Sequence, residues 1–116
     1  MSSREKIAIA PSDRASRQTA RPVEVLSAGR VLTFDELERW QSVAFDCNGA
    51  ARNLDLPAEE LCAGVYLLVT NATAATHALT VRNDAAGTVA AIPAATVNRS
   101  AKVWCDGVRW YSLLGA

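Results

Sequence analysis

Ser100-Ala-Lys-Val-Trp-Cys-Asp-Gly-Val-Arg-Trp-Tyr-Ser-Leu-Leu114 is the stretch whose reading decides the fold class. Asp106-Gly107 separates two runs of β-formers, and both residues tolerate the positive φ of a two-residue type I′ turn, so the stretch predicts a β-hairpin. A loop of that length would set Cys105 opposite Val108, Trp104 opposite Arg109, Val103 opposite Trp110 and Lys102 opposite Tyr111. One face then reads Ala101, Val103, Cys105, Val108 and Trp110, which is apolar and is assigned to the core. The other reads Lys102, Trp104, Arg109 and Tyr111, pairing each cation with a ring at about 0.5–1 kcal/mol per pair.

Working outward, short β-patterns recur between turn signals. Val23-Glu-Val-Leu26 and Arg30-Val-Leu-Thr33 flank Ser27-Ala-Gly29, Ser42-Val-Ala-Phe-Asp46 precedes Cys47-Asn-Gly49, and Ala51-Arg-Asn-Leu-Asp-Leu56 alternates. Gly64-Val-Tyr-Leu-Leu-Val-Thr-Asn71 is too continuously apolar for one wet face and is expected to be a central strand covered on both sides. His77–Arg82 and Thr88–Ile92 flank the turn Asn83-Asp-Ala-Ala-Gly87, and Ala94-Ala-Thr-Val97 is expected to pair with an edge. Helical signals are brief. Thr33-Phe-Asp-Glu36 has the spacing of a capping box and predicts a turn or two of helix to about Trp40. Pro57-Ala-Glu-Glu-Leu-Cys62 predicts a single turn, with proline at its first position and Gly64 past its end. About eight short strands with no helix long enough to cover a sheet indicate an all-β fold, a small antiparallel β-sandwich or barrel.

The chain has 116 residues, half of them hydrophobic, enough for one domain with its own core. It holds no apolar run of the length of a membrane span, and Met1-Ser-Ser-Arg-Glu-Lys6 lacks the apolar segment of a secretory signal, so synthesis in a cytoplasm is expected. Cys47, Cys62 and Cys105 are odd in number and show no CxxC spacing, which argues for buried thiols over a disulfide framework or zinc site. Charge is balanced overall but uneven: residues 1–30 carry Arg4, Lys6, Arg14, Arg17, Arg21 and Arg30 against Glu5, Asp13 and Glu24, a net +3, and the remainder compensates. Residues 1–29 are therefore read as an extended basic arm and 30–116 as the β-domain.

No catalytic constellation is legible. Asp35, Glu36, Glu38, Glu59 and Glu60 lie in the helical turns, where acids are ordinary companions of the helix dipole. His77 is the single histidine and has no partner motif, no cysteine carries a nucleophile signature, and no glycine-rich phosphate loop is present. Neither cofactor nor metal is expected, and an acidic domain with cations gathered in a leader gives no nucleic-acid groove. An enzyme is not expected. If the chain were one, a small envelope hydrolase built on His77 is the form it would take.

One resemblance runs through residues 31–113. Phe45-Asp46, Asn48-Gly49, Leu54-Asp-Leu-Pro-Ala58, Ala63-Gly-Val-Tyr66, Val69-Thr-Asn71, Leu79-Thr-Val81, Gly87-Thr-Val89 and Asp106-Gly-Val-Arg-Trp110, taken in that order, resemble a diverse group of tailed-bacteriophage virion proteins. The group includes head decoration (cement) proteins and terminal domains of tail fibres or spikes. The resemblance implies a β-rich virion component that acts by binding, as a homo-trimer. A chain starting at Met1 with a short arm and no repetitive shaft fits the decoration protein better, a peg that bridges major capsid proteins on the outside of the head. The alternative is a receptor- or glycan-binding tip, with Trp104, Tyr111 or Trp40 stacking on sugar. Candidate contacts are Arg14, Arg17, Arg21, Val23, Val25, Leu26 and Arg30, with Trp40, Trp104 and Arg109 as further anchors. No membrane or nucleic-acid partner is expected.

Overall fold

The computed structural model describes residues 19–73, 77–93 and 99–115. Its strands are β1 (Glu24–Val25), β2 (Arg30–Val31), β3 (Ser42–Asp46), β4 (Arg52–Asp55), β5 (Tyr66–Asn71), β6 (Leu79–Arg82), β7 (Thr88–Ile92), β8 (Arg99–Cys105) and β9 (Trp110–Gly115). Helix α1 (Phe34–Arg39) and a 3-10 turn (Glu59–Leu61) interrupt them. The strands form a five-stranded sheet in the order β1-β3-β5-β8-β9 and a four-stranded sheet in the order β2-β4-β6-β7.

The all-β class holds, and the sheets are mixed rather than antiparallel. From β1 to β2, β3 to β4 and β5 to β6 the chain crosses from the larger sheet to the smaller, and the arcs containing α1 and the 3-10 turn bring it back one place along. Consequently β1, β3 and β5 run parallel, as do β2, β4 and β6. Antiparallel pairs enter only with β7, β8 and β9. Side-chain alternation reveals which face of a strand is buried but carries no information about strand direction.

Local chemistry sets the bends. The Thr33 hydroxyl accepts from the Glu36 N–H at 3.2 Å while the Glu36 carboxylate accepts from the Thr33 N–H at 3.0 Å, the capping box that opens α1. After β3, Asn48 and Gly49 take φ of 52° and 97°, and the Arg52 guanidinium donates to the Cys47 carbonyl at 2.8 Å, which turns the chain toward the second sheet. Between β6 and β7, Asn83 Oδ1 accepts from the Gly87 N–H at 2.8 Å and closes a true hairpin.

One core lies between the sheets. Val43 and Phe45 of β3, Leu67 and Val69 of β5, and Ala101 and Val103 of β8 meet Leu54, Leu79, Val81 and Ile92 of the smaller sheet. Burial of each large aliphatic or aromatic side chain contributes roughly 1.5–3 kcal/mol. Cys47, Cys62 and Cys105 are buried free thiols, and burial pushes Cys62 up to about 11. At one end of the core Asn71, 2% exposed, accepts from the Thr73 hydroxyl at 2.6 Å and donates to the His77 and Ile92 carbonyls at 3.0 and 3.1 Å.

Two expectations are corrected. The domain begins before residue 30: the Arg21 N–H donates to the Ser42 carbonyl, the Leu26 N–H donates to the Asp46 carbonyl, and Leu26 is core at 3% exposure. Leu26 is therefore unavailable as a contact residue. The β5 run is covered on its inner face only, since Tyr66 and Leu68 are exposed. Most of the arm, with Arg14 and Arg17, and the expected edge strand Ala94–Val97 lie outside the described residues.

Candidate binding face

The terminal hairpin exists with a longer loop than a two-residue turn. Cys105 pairs with Trp110, Trp104 with Tyr111, Val103 with Ser112 and Lys102 with Leu113, leaving residues 106–109 in the loop. Asp106 is the reason: its Oδ1 accepts from the N–H groups of Val108 and Arg109 at 2.8 and 2.9 Å, and Oδ2 accepts from the Tyr111 hydroxyl at 2.9 Å. These bonds, led by that from Arg109, hold the Asp106 carboxyl below its ordinary value, and Asp106 in turn raises Tyr111. The register slips by two residues, an even number, so the residues that remain in the strands keep their assigned faces. Trp110 is core, donating its indole N–H to the Pro57 carbonyl at 3.2 Å. Val108 is not core; it sits in the loop, 75% exposed, next to an exposed Arg109, and Trp104 lies opposite Tyr111 instead of Arg109.

This register builds an aromatic row across the outer face of the larger sheet. Tyr66, Trp104 and Tyr111 are cross-strand neighbours on β5, β8 and β9. The Trp104 and Tyr111 rings stack at 5.9 Å with planes 21° apart. The adjoining row reads Ser42, Leu68, Lys102 and Leu113, and Lys102 Nζ lies 5.1 Å from the Tyr66 ring centre. A cation–ring contact is present on this face, but it joins Lys102 to Tyr66 in place of the expected pairs Lys102–Tyr111 and Arg109–Trp104. A third row is small and polar, with the hydroxyls of Thr70 and Ser100 bonded at 2.8 Å. Gly64, Tyr66, Lys102, Trp104 and Leu113 border a shallow cleft of 410 Å³.

The other candidate contacts gather around β1. Arg30 donates to Glu24 at 2.9 Å and to both oxygens of Glu36, and Arg21 also reaches Glu24. The bonds from Arg30 hold both carboxyls low, Glu36 at about 2, and the Glu36 bond raises Arg30. Arg21 and Arg30 are thus ion-paired within their own domain while remaining partly exposed. Val23 and Val25 are exposed, whereas Trp40 is half-buried against the core with the Arg39 guanidinium 5.6 Å from its ring centre. Tyr66, Leu68 and Leu113 were not anticipated as site residues; the β5 run is apolar at every position from Val65 to Val69, so its pattern carries no sign of which face stays exposed.

His77 is half-buried at the start of the segment leading into β6, with its carbonyl engaged by Asn71. Among the described residues no three potential metal ligands converge. No helix of the described chain is long and apolar enough to cross a membrane. No protein-family model matches the chain, and searches of curated proteins and of solved structures find no match.

Proposed function

We propose that the chain is a capsid decoration protein of a tailed bacteriophage, binding the outside of the head and bridging major capsid proteins through the outer face of its five-stranded sheet. The observation that supports this is the composition of that face. Tyr66, Leu68, Trp104, Tyr111 and Leu113 are exposed on three adjacent strands. A solvated face of an antiparallel sheet region ordinarily turns polar, and contiguous exposed apolar surface marks a binding site. Rings with few carboxylates are also the composition of interface centres. The capsid as partner rests on the sequence resemblance. Many copies of one modest contact would then reinforce the shell by avidity, with Val23 and Val25 adding contacts at the far edge.

The test is sedimentation of purified protein with undecorated expanded capsids. Trp104→Ala should weaken attachment at least tenfold, on the order of 1.4 kcal/mol, with unfolding unchanged. Undiminished attachment would sink the proposal. The stacked Trp104 and Tyr111 rings also suit a glycan-binding tail tip, and a sugar ligand on an array, lost in Trp104→Ala, would favour that reading instead.

A further inference from the structure

β9 is the least protected strand of the fold. It ends the five-stranded sheet, and five of its six residues are exposed. Exposure affects both faces, Tyr111 and Leu113 outside and Ser112 and Leu114 inside, with Leu113 at 65% and Leu114 at 47%. Edge strands are normally blunted by brevity, charge or proline. The other edges are so treated: β1 and β2 have two residues each beside the Glu24, Arg30 and Glu36 ion pairs, and β7 runs into Pro93. β9, Trp110-Tyr-Ser-Leu-Leu-Gly115, carries none of these devices.

The register identifies which backbone groups are open. The Cys105 N–H donates to the Val65 carbonyl at 3.0 Å and the Cys105 carbonyl accepts from Gly64 at 2.9 Å, so Cys105 turns its backbone toward β5. Alternation then turns Trp104, Lys102 and Ser100 toward β9, where they engage Tyr111, Leu113 and Gly115. The N–H and carbonyl groups of Trp110, Ser112 and Leu114 point away from the sheet, and no backbone bond reaches them among the described residues.

We propose that β9 pairs antiparallel with β9 of a second copy about a two-fold axis at Ser112, fusing two five-stranded sheets into one. Each Ser112 then faces its counterpart, Trp110 faces Leu114 of the second copy on the inner side, and Tyr111 faces Leu113 of the second copy on the outer side. Self-pairing satisfies the open backbone groups, sets apolar against apolar on both faces and places no charge opposite another. The uncharged strand offers nothing to select a differently charged partner, whereas Trp110 and Leu114, and Tyr111 and Leu113, complement one another across the axis. The Ser112 hydroxyl already donates to the Val89 carbonyl of β7 at 2.7 Å, so at the axis the pairing uses the backbone alone. The resemblance implies a trimer, which two-fold edge pairing does not build; the pairing stands on the fold alone, independent of the capsid reading.

Cysteine cross-linking of the full chain tests the axis. Residues directly opposed in a hydrogen-bonded antiparallel pair have Cα atoms about 5.5 Å apart, within disulfide reach. The native thiols are buried. Under diamide, Ser112→Cys should give a covalent dimer on a non-reducing gel, and Leu113→Cys, whose counterpart is Tyr111, should not. By sedimentation equilibrium the unaltered chain should dimerise, and Ser112→Lys should weaken the dimer at least about tenfold. A chain that stays monomeric, or an oligomer in which Ser112→Cys fails to cross-link, overturns the proposal. Either result leaves capsid attachment to be decided by its own assay.

Discussion

Arg30 bridges Glu24 and Glu36 and thereby ties β1, β2 and the first turn of α1 into one unit. Its hydrogen bonds pull the Glu36 carboxyl from 4.5 to about 2. A carboxyl whose folded value lies below its unfolded value stabilises above the unfolded value, and that contribution is lost as pH falls through the folded one. Glu36→Gln should therefore cost about 1 kcal/mol near neutrality, after allowance for solvent screening of a partly exposed pair. It should also flatten the decline of stability between pH 4.5 and about 2. Urea unfolding of both proteins across that range checks this, and an unchanged slope would refute the assignment to Glu36. The Thr33–Glu36 box was readable three residues apart in sequence; the role of Arg30 was not, because its partners lie six residues away on either side.

At the scale of elements, the terminal hairpin separates what a sequence pattern determines from what it leaves free. Alternation placed Trp110 inside and Trp104 outside correctly. Loop length depended on Asp106 capturing two backbone N–H groups and the Tyr111 hydroxyl, an alternative equally open to an Asp-Gly pair. Gly107 has φ of +96°, and an added Cβ would lie 3.1 Å from the Ala63 Cβ. Gly107→Ala is expected to lower stability by about 1–2 kcal/mol, measured by denaturant titration, while a neutral result would mean the loop relaxes to another turn type. Strand direction was illegible for a related reason: Asn48-Gly49 bends the chain, but whether it returns within a sheet or crosses to the next depends on long-range packing. The β5 run misled for a third reason. Leu68 reads as core whether its face is covered by its own domain or left for a partner.

For the whole molecule, these apolar residues outside the core divide stability from attachment. Leu68→Ser combined with Leu113→Ser removes exposed aliphatic side chains from one row of the outer face, so stability should change by no more than about 0.5 kcal/mol per site. Binding of a hydrophobic dye to the folded protein should fall, as should adhesion to any natural partner of this face. A large loss of stability would show instead that the two leucines serve the fold. Leu26 makes the opposite point, since a residue expected to grip a partner turned out to anchor the first strand to the core.

The sheet order has a mechanical corollary. β1 and β9 occupy opposite edges of the larger sheet and, through the intervening pairings, run in the same direction. Tension drawn from the start of β1 and the end of β9 would act along the strands and load the interstrand bonds in shear, all at once, instead of unzipping them one by one. The ladder between β1 and β3 is only two residues long, so rupture would begin there and leave the other four strands of the sheet standing.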